Sequence, residues 1–179
     1  MGGDHPRAQR KVTKKNGREA TPSYLLIDSQ SVKTAGRAEE KGFHGGKKVK
    51  GRSRQIAADT GGRVWALHVH AANKADTVEG CAVADKAAGL PRLEGFCADE
   101  GYRGTFAEHV QGTLQKTVDI TGGVKGEGFK VIPKRWVVER TFGWFGWWRR
   151  LSKDFEHTVS SSEAFLWIAS MHRLLRADF

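Results

Sequence analysis

Three carboxylates in this chain stand where an acid is costly unless it is paired or bound to a cation. Asp28 comes just after Leu26 and Ile27 in the apolar run "SYLLIDSQSVKT", and Asp99 closes the short run "LEGFCADEGYRG". Glu139 is the lone acid of "KRWVVERTFGWFGWWRRL", residues 134–151, set among Lys, Arg and most of the tryptophans. On a helix advancing about 100° per residue, Gly143 and Gly146 share the side of Glu139, Arg135 lies one turn before it and Arg150 three turns after, while Val137, Trp144 and Trp148 fall opposite. Those glycines weaken the helix where alanine would serve. They either clear a surface beside Glu139 or let the helix pack closely on a sheet, and the helix alone does not choose. Glu139 itself fits an ion pair with a neighbouring Arg or a site that holds a cation where a polyanion comes close. Two aspartates at strand ends joined by a glutamate from a later helix supply three oxygen ligand groups of the kind Mg²⁺ prefers. Such a set suits a two-metal phosphoryl-transfer site.

The elements that must position these acids follow from period and punctuation. "SYLLIDSQSVKT" reads as a buried strand, "GFHGGKKVKGRSR" as a long basic connection, and "QIAADT" as a second strand. The turn signal "TGG" at 60–62 leads into an alternating third strand, "RVWALHVHAAN". Asp76, with Glu79 three residues on, suits the cap of a helix "TVEGCAVADKAAG" that Gly89 and Pro91 stop. A strand ending at Asp99, a helix near "TFAEHVQGTL" and a strand near "KTVDIT" come next, giving the order β-β-β-α-β-α-β. Pro133 suits the first turn of a long helix running to Leu151. Ser160 and Glu163 read as the capping box of a final helix with an apolar stripe of Phe165, Ile168, Ala169 and Leu175. Residues 1–22 read as a basic, solvated arm without a helix-turn-helix, followed by a domain over 23–179.

Thirty Lys and Arg against 20 Asp and Glu give a formal charge of +10 over 179 residues, which points to nucleic acid as partner. The longest clearly apolar run, "AFLWIA", is far below the ~20 residues of a membrane span, and the polar N-terminus has no signal-peptide core. The expected setting is cytoplasmic and nucleoid-associated, with no membrane partner. Cys81 and Cys97 read as reduced, small buried hydrophobes. No CxxC, HExxH or GxxxxGK[ST] pattern occurs, so zinc-site and P-loop readings lack their ligands. The Gly-rich "TGGVKGEGF" at 121–129 reads as a loop. His68 and His70 share a strand face and read as structural, as does Asn73.

The ordered motifs "IDSQSVKT", "ADEGYRG" and "RWVVERTFGWFGWWRRLSKDFE" resemble those of the DDE transposases of bacterial insertion sequences, closest to the insertion-sequence-five group, over about residues 24–172. The resemblance implies an α/β ribonuclease H-like fold with a mixed five-stranded sheet, three antiparallel strands and then parallel additions, flanked by helices. It implies Asp28, Asp99 and Glu139 as ligands of two Mg²⁺ ions, with Mn²⁺ as an alternative, and an activity that cleaves transposon-end DNA and joins the freed 3′-OH to target DNA. It also implies double-stranded DNA as partner and a homodimer in the active complex. Relatives carry an upstream DNA-binding region, so the expectation here is a catalytic portion, with that region supplied by an upstream-frame product.

Basic residues near these motifs are the expected DNA contacts: Lys33 and Arg103 beside the aspartates, Lys47, Lys48, Lys50, Arg52 and Arg54 in the basic connection, and Arg135, Arg149 and Arg150 on the Glu139 helix. Trp144 and Trp148 read as packing residues, and Trp147 as the one able to stack on a base. The sequence departs from the family near Trp147, where relatives have a basic residue, and at Ile132 and Gly146, where related groups place Tyr and Lys. Two alternatives stay open: a catalytically inactive DNA-binding remnant, and a nuclease of the same fold that cuts without joining.

Overall fold

The computed structural model describes Arg10, residues 19–121 and residues 135–176. Most of the N-terminal arm, most of the Gly-rich stretch at 121–129, and Pro133 lie outside the described residues. Six strands make one curled mixed sheet: β1 (Tyr24–Lys33), β2 (Gly42–His44), β3 (Val49–Ala58), β4 (Val64–Ala71), β5 (Gly95–Asp99) and β6 (Thr117–Thr121). The path is β2-β3-β1-β5-β6, with β4 on the β3 edge that also holds β2. β3 runs antiparallel to β1, β2 and β4, whereas β5 lies parallel to β1 and β6 parallel to β5. The helices are α1 (Asp76–Ala88), α2 (Thr105–Gly112), α3 (Arg135–Gly146) and α4 (Val159–Arg176). Three antiparallel strands followed by parallel ones, with helices on both faces, form a ribonuclease H-like fold.

Both faces of the sheet are covered, which is why its strands read as nearly unbroken apolar runs. Leu25, Ile27, Ala57, Phe96 and Ala98 meet Val83, Ala84 and Ala87 of α1 and Phe106 and Val110 of α2. On the opposite face Leu26, Ile56, Leu67, Val69 and Cys97 meet Val138, Phe142 and Phe145 of α3 and Leu166 and Ala169 of α4. Gly62 lies in the left-handed region, φ 76°, and a Cβ there would come within 2.8 Å of Thr141 Oγ1 and of the Trp144 ring. The β3–β4 turn can therefore press against α3 only with glycine at this position. Both cysteines are free, Cys97 buried and Cys81 half-buried.

Several expectations are corrected. The sheet has six strands because the basic connection itself pairs, as β2 and the first half of β3, so the second strand starts at Val49. Helix α3 stops at Gly146 and gives way to turns through residue 154, five residues short of the expected end. Asp76 starts α1 without capping it; Ala75 takes the cap position with no side-chain bond, while Gln55 Nε2 donates to Asp76 O at 3.1 Å. The cap of α4 is Thr158, whose Oγ1 accepts from Ser161 N at 3.1 Å. Glu163 turns away to accept Val69 N–H at 3.0 Å and Lys86 at 3.3 Å, and it faces His68 Nδ1 at 3.3 Å. Ile168 and Leu175 are 54% and 58% exposed, and the buried face of α4 runs through Ser162, Leu166, Ala169, Ser170 and Leu174 instead.

The largest revision concerns Arg52 and Arg54, expected on the DNA-facing surface and found 0% and 1% exposed. On β3 they alternate with Ile56 on the inward face, beneath the segment joining α3 to α4. Arg52 donates to Asp154 Oδ2 (3.2 Å) and to the carbonyls of Glu39 (2.6 Å), Glu156 (3.0 Å) and His157 (2.7 Å). Arg54 donates to Leu151 O at 2.7 Å. Burial pulls the Arg54 guanidinium down to about 10; Asp154 opposes the shift and Arg52 adds to it. Both side chains are thus removed from the set of phosphate contacts.

Removing one partner of a buried ion pair leaves an uncompensated charge. Asp154→Ala should therefore lower unfolding free energy by about 3–5 kcal/mol in urea titrations, well beyond the effect of an exposed substitution. Acid should destabilise the protein in two stages. Burial holds His70 below its ordinary 6.5, against the opposing influence of the Ala71 carbonyl and Glu79. The unfolded chain then takes up the proton first, and stability falls as pH drops below about 6.5. Burial raises Glu163, but His68, Lys86 and the Val69 N–H outweigh it and keep it low, so its contribution is present above about 4.3 and lost as pH falls further. Urea midpoints measured from about pH 8 to pH 3 read both stages.

Candidate active site

The two aspartates are related by strand register. The parallel β1–β5 ladder ends at the pair Leu26 with Cys97, and Asp28 and Asp99 each follow that pair by two residues. Because side chains alternate along a strand, both project to the face of Leu26 and Cys97, which α3 covers through Val138 and Phe142. Both are half-buried. One oxygen of each is oriented by backbone: Asp28 Oδ1 accepts from Ser29 N at 2.7 Å, and Asp99 Oδ1 accepts from Gly101 N at 2.9 Å. The second bond caps the 3₁₀ turn Glu100–Tyr102, so the chain reversal after β5 fixes the Asp99 carboxylate.

Glu139 is exposed on α3, one position beyond the buried Val138. A Cβ at Gly143 or Gly146 would meet no atom within 4 Å. Neither glycine is therefore explained by close packing among the described residues. Among the described residues no three His, Cys, Asp or Glu side chains are gathered into a metal-holding group. Asp28, Asp99 and Glu139, all among the described residues, are therefore not drawn together into such a group, and they contribute oxygen donors only. This all-oxygen set fits a hard divalent cation better than a thiophilic one.

Tyr102, inside the motif "ADEGYRG", was not singled out by the sequence. It is 1% exposed, packs edge-on to Phe106 at 5.2 Å, and rests on α1 at Gly80, where a Cβ would come within 2.8 Å of its ring. Burial raises the hydroxyl well above its usual range, and the fields of Asp28, Asp76 and Asp99 raise it further, with Ser29 a small opposing influence. No hydrogen-bond partner within normal limits satisfies it. Tyr102 thus sits neutral in the core on the α1 side of the sheet, opposite the face of Leu26 and Cys97, close enough to feel the fields of both aspartates. Only the 3₁₀ turn brings it there, and no spacing signal reveals that reversal.

The other expected residues divide. Lys33, Lys47, Lys48, Lys50, Arg103 and Arg149 are exposed, with Arg103 paired to Glu100 at 3.4 Å. Arg150 is exposed but bonds Glu156 at 2.8 Å and lies over the Phe165 ring at 4.4 Å. The Arg135 side chain lies outside the described residues. Trp147 is 88% exposed. Trp144 and Trp148 pack inward, Trp144 under the Arg173 guanidinium at 3.1 Å and Trp148 edge-on to His172 at 4.8 Å.

The family model described as the transposase DDE domain matches residues 19–174. No curated protein matches the chain at a significant level.

The Tyr102 hydroxyl offers a direct check on this part of the core. A buried hydroxyl without a partner costs about 1–3 kcal/mol, so Tyr102→Phe should leave stability unchanged or raise it by about 1 kcal/mol in chemical denaturation. A loss of similar size would show that the hydroxyl is satisfied in the folded protein, with the Ser29 side chain as its neighbour.

Proposed function

Because the chain belongs to the DDE transposase family, whose domain model covers residues 19–174, we propose that it cleaves phosphodiesters at transposon ends and joins the freed 3′-OH to target DNA. The family is one of nuclease and transferase enzymes that act on DNA in transposition and recombination. The finer assignment, to the insertion-sequence-five group of bacterial elements, rests on the three ordered motifs. One observation supports the catalytic reading: Asp28 and Asp99 each follow by two residues the last pair of the parallel β1–β5 ladder, Leu26 with Cys97, on whose sheet face the helix of Glu139 packs.

Asp28, Asp99 and Glu139 would hold the divalent ions, Mg²⁺ or Mn²⁺. When bound, a metal pair in such a site activates the attacking oxygen and stabilises the leaving one. The chain's own contribution is orientation. The Ser29 and Gly101 N–H groups fix one oxygen of each aspartate. Gly143 and Gly146, where a Cβ would meet no atom of the described residues within 4 Å, would give room for a duplex beside Glu139. Lys33, Lys47, Lys48, Lys50, Arg103 and Arg149 are the proposed phosphate contacts, with Trp147 available to stack. An active complex of two copies, and recognition of element ends by an upstream-frame product, belong to the same proposal. No helix among the described residues is long and apolar enough to cross a membrane.

Glu139→Gln, Asp28→Asn and Asp99→Asn should each abolish metal-dependent cleavage of labelled end DNA while the protein still melts cooperatively. Full cleavage by any one of them would return that carboxylate to an ordinary ion-pair role. Transfer of a 3′-OH end into a second duplex by the unsubstituted protein separates a transposase from a nuclease that only cuts.

A further inference from the structure

Five ammonium groups converge at the far end of β1 from the aspartates. Lys33 ends β1, Lys41 precedes β2, Lys48 and Lys50 belong to the β2–β3 hairpin, and Lys153 lies in the turn after α3; with Phe43 they line a depression of about 450 Å³. All five are exposed. None has an ion-pair partner among the described residues, in contrast to Lys74 on Glu40 and Lys86 on Glu163.

The fold assembles this cluster against its own repulsion. Asp154 N donates to Lys33 O at 2.9 Å and Ala35 N to Asp154 O at 2.8 Å, which docks the turn carrying Lys153 beside the end of β1. The Asp154 carboxylate, the acid nearest in sequence, is turned inward to Arg52 and Ser162 and is 1% exposed. Lys48 is held at φ 51°, an uncommon angle for a residue with a side chain, in the turn where Lys47 N donates to His44 Nδ1 at 3.0 Å. Phe43 is a large apolar side chain left 57% exposed among the lysines. Concentrated like charge without a counter-charge favours an anionic ligand, and an aromatic ring within it suits the sugar or base of a nucleic acid.

We propose that this depression grips the backbone of duplex DNA at a fixed distance from the cleaved bond, about five base pairs from the phosphate at the carboxylates. The proposal rests on the reading of the chain as a DNA-cleaving enzyme. Its distance comes from β1, which runs unbroken from Tyr24 to Lys33. The five steps from Asp28 to Lys33 span about 17 Å at roughly 3.3 Å each. A DNA strand advances about 3.4 Å per base pair. Lys41 and Lys153 thereby join the DNA contacts, and Phe43 packs against the sugar–base edge between the gripped phosphates.

The test is binding without divalent metal, so that it does not depend on cleavage. Full-length protein is titrated onto a fluorescent random duplex over a range of salt. Replacing Lys41, Lys48, Lys50 and Lys153 by Gln should reduce the slope of log K against log salt by about 0.9 per lysine, whereas Lys74→Gln and Lys86→Gln should leave it unchanged. An unchanged slope in a four-lysine variant that melts like the parent overturns the proposal. Phosphate-ethylation interference on end DNA bound by Glu139→Gln protein then reads position. Interference about five base pairs from the scissile phosphate that disappears in the four-lysine background supports the proposal; no interference at that position, its persistence in the four-lysine background, or equal competition by polyglutamate of matched charge, overturns it. Failure here leaves the carboxylate assignment untouched, since that is read by cleavage alone.

Discussion

The buried guanidiniums of Arg52 and Arg54 are the interaction on which most of the architecture depends. Two cations in a protein interior are expensive unless each N–H finds an acceptor and a counter-charge is close. Here the acceptors are mostly backbone carbonyls from two stretches with no regular ladder of their own, around Glu39 and from Leu151 to His157. Asp154 supplies the charge. A helix-to-helix connection that would otherwise carry unsatisfied carbonyls is thereby fastened to the middle of the sheet. Helix α3 enters this connection and α4 leaves it, so the seating of both on the Leu26 face depends on the two arginines.

That seating gives the acidic residues their relation to one another. Asp28 and Asp99 each lie two residues beyond the last pair of the parallel β1–β5 ladder, Leu26 with Cys97, and the apolar residues preceding them lock that register, since a one-residue slip would turn Leu26 and Cys97 to the wrong face. Glu139 reaches the same face only through the packing of Val138 and Phe142. Charge is segregated along β1. Asp28 occupies its middle, near the end of β5, and lysines without an ion-pair partner among the described residues gather at its far end, with the strand as the spacer between them.

The tryptophan-rich stretch divides by exposure. Trp144 closes over Gly62 and beneath Arg173, where burial, with Arg140 adding to it, pulls the Arg173 guanidinium to about 10. Trp147, just past the end of α3, remains in solvent. A Cβ at Gly143 or Gly146 would meet no atom of the described residues within 4 Å, and Gly146 is also where the helix gives way to turns. Trp144 and Trp148 meanwhile fix the other side of this stretch to the body of the protein.

Much of this was legible in the sequence. Apolar runs broken by glycine and proline gave the element order, and the placement of Asp28, Asp99 and Glu139 followed from local pattern, because burial of a strand or helix face is written into side-chain period. The caps and the α4 stripe differ from the expectation, because Thr158 offers the same cap chemistry as Ser160 two residues earlier, and because Glu163 is drawn to Val69, Lys86 and His68, which lie far away in the chain. Arg52 and Arg54 differ from it for a deeper reason. In sequence they continue Lys47, Lys48 and Lys50, and nothing local separates an arginine that will face solvent from one that will be buried under carbonyls from residues 151–157. By itself the sequence determined the strands, the helices and which acids were unusual, since these depend on short-range period and on the cost of apolar exposure. Only the tertiary structure decided which cations were buried, which acid neutralised them and which lysines gathered around one depression, because desolvation and ion pairing depend on neighbours that the chain brings together from some hundred residues apart.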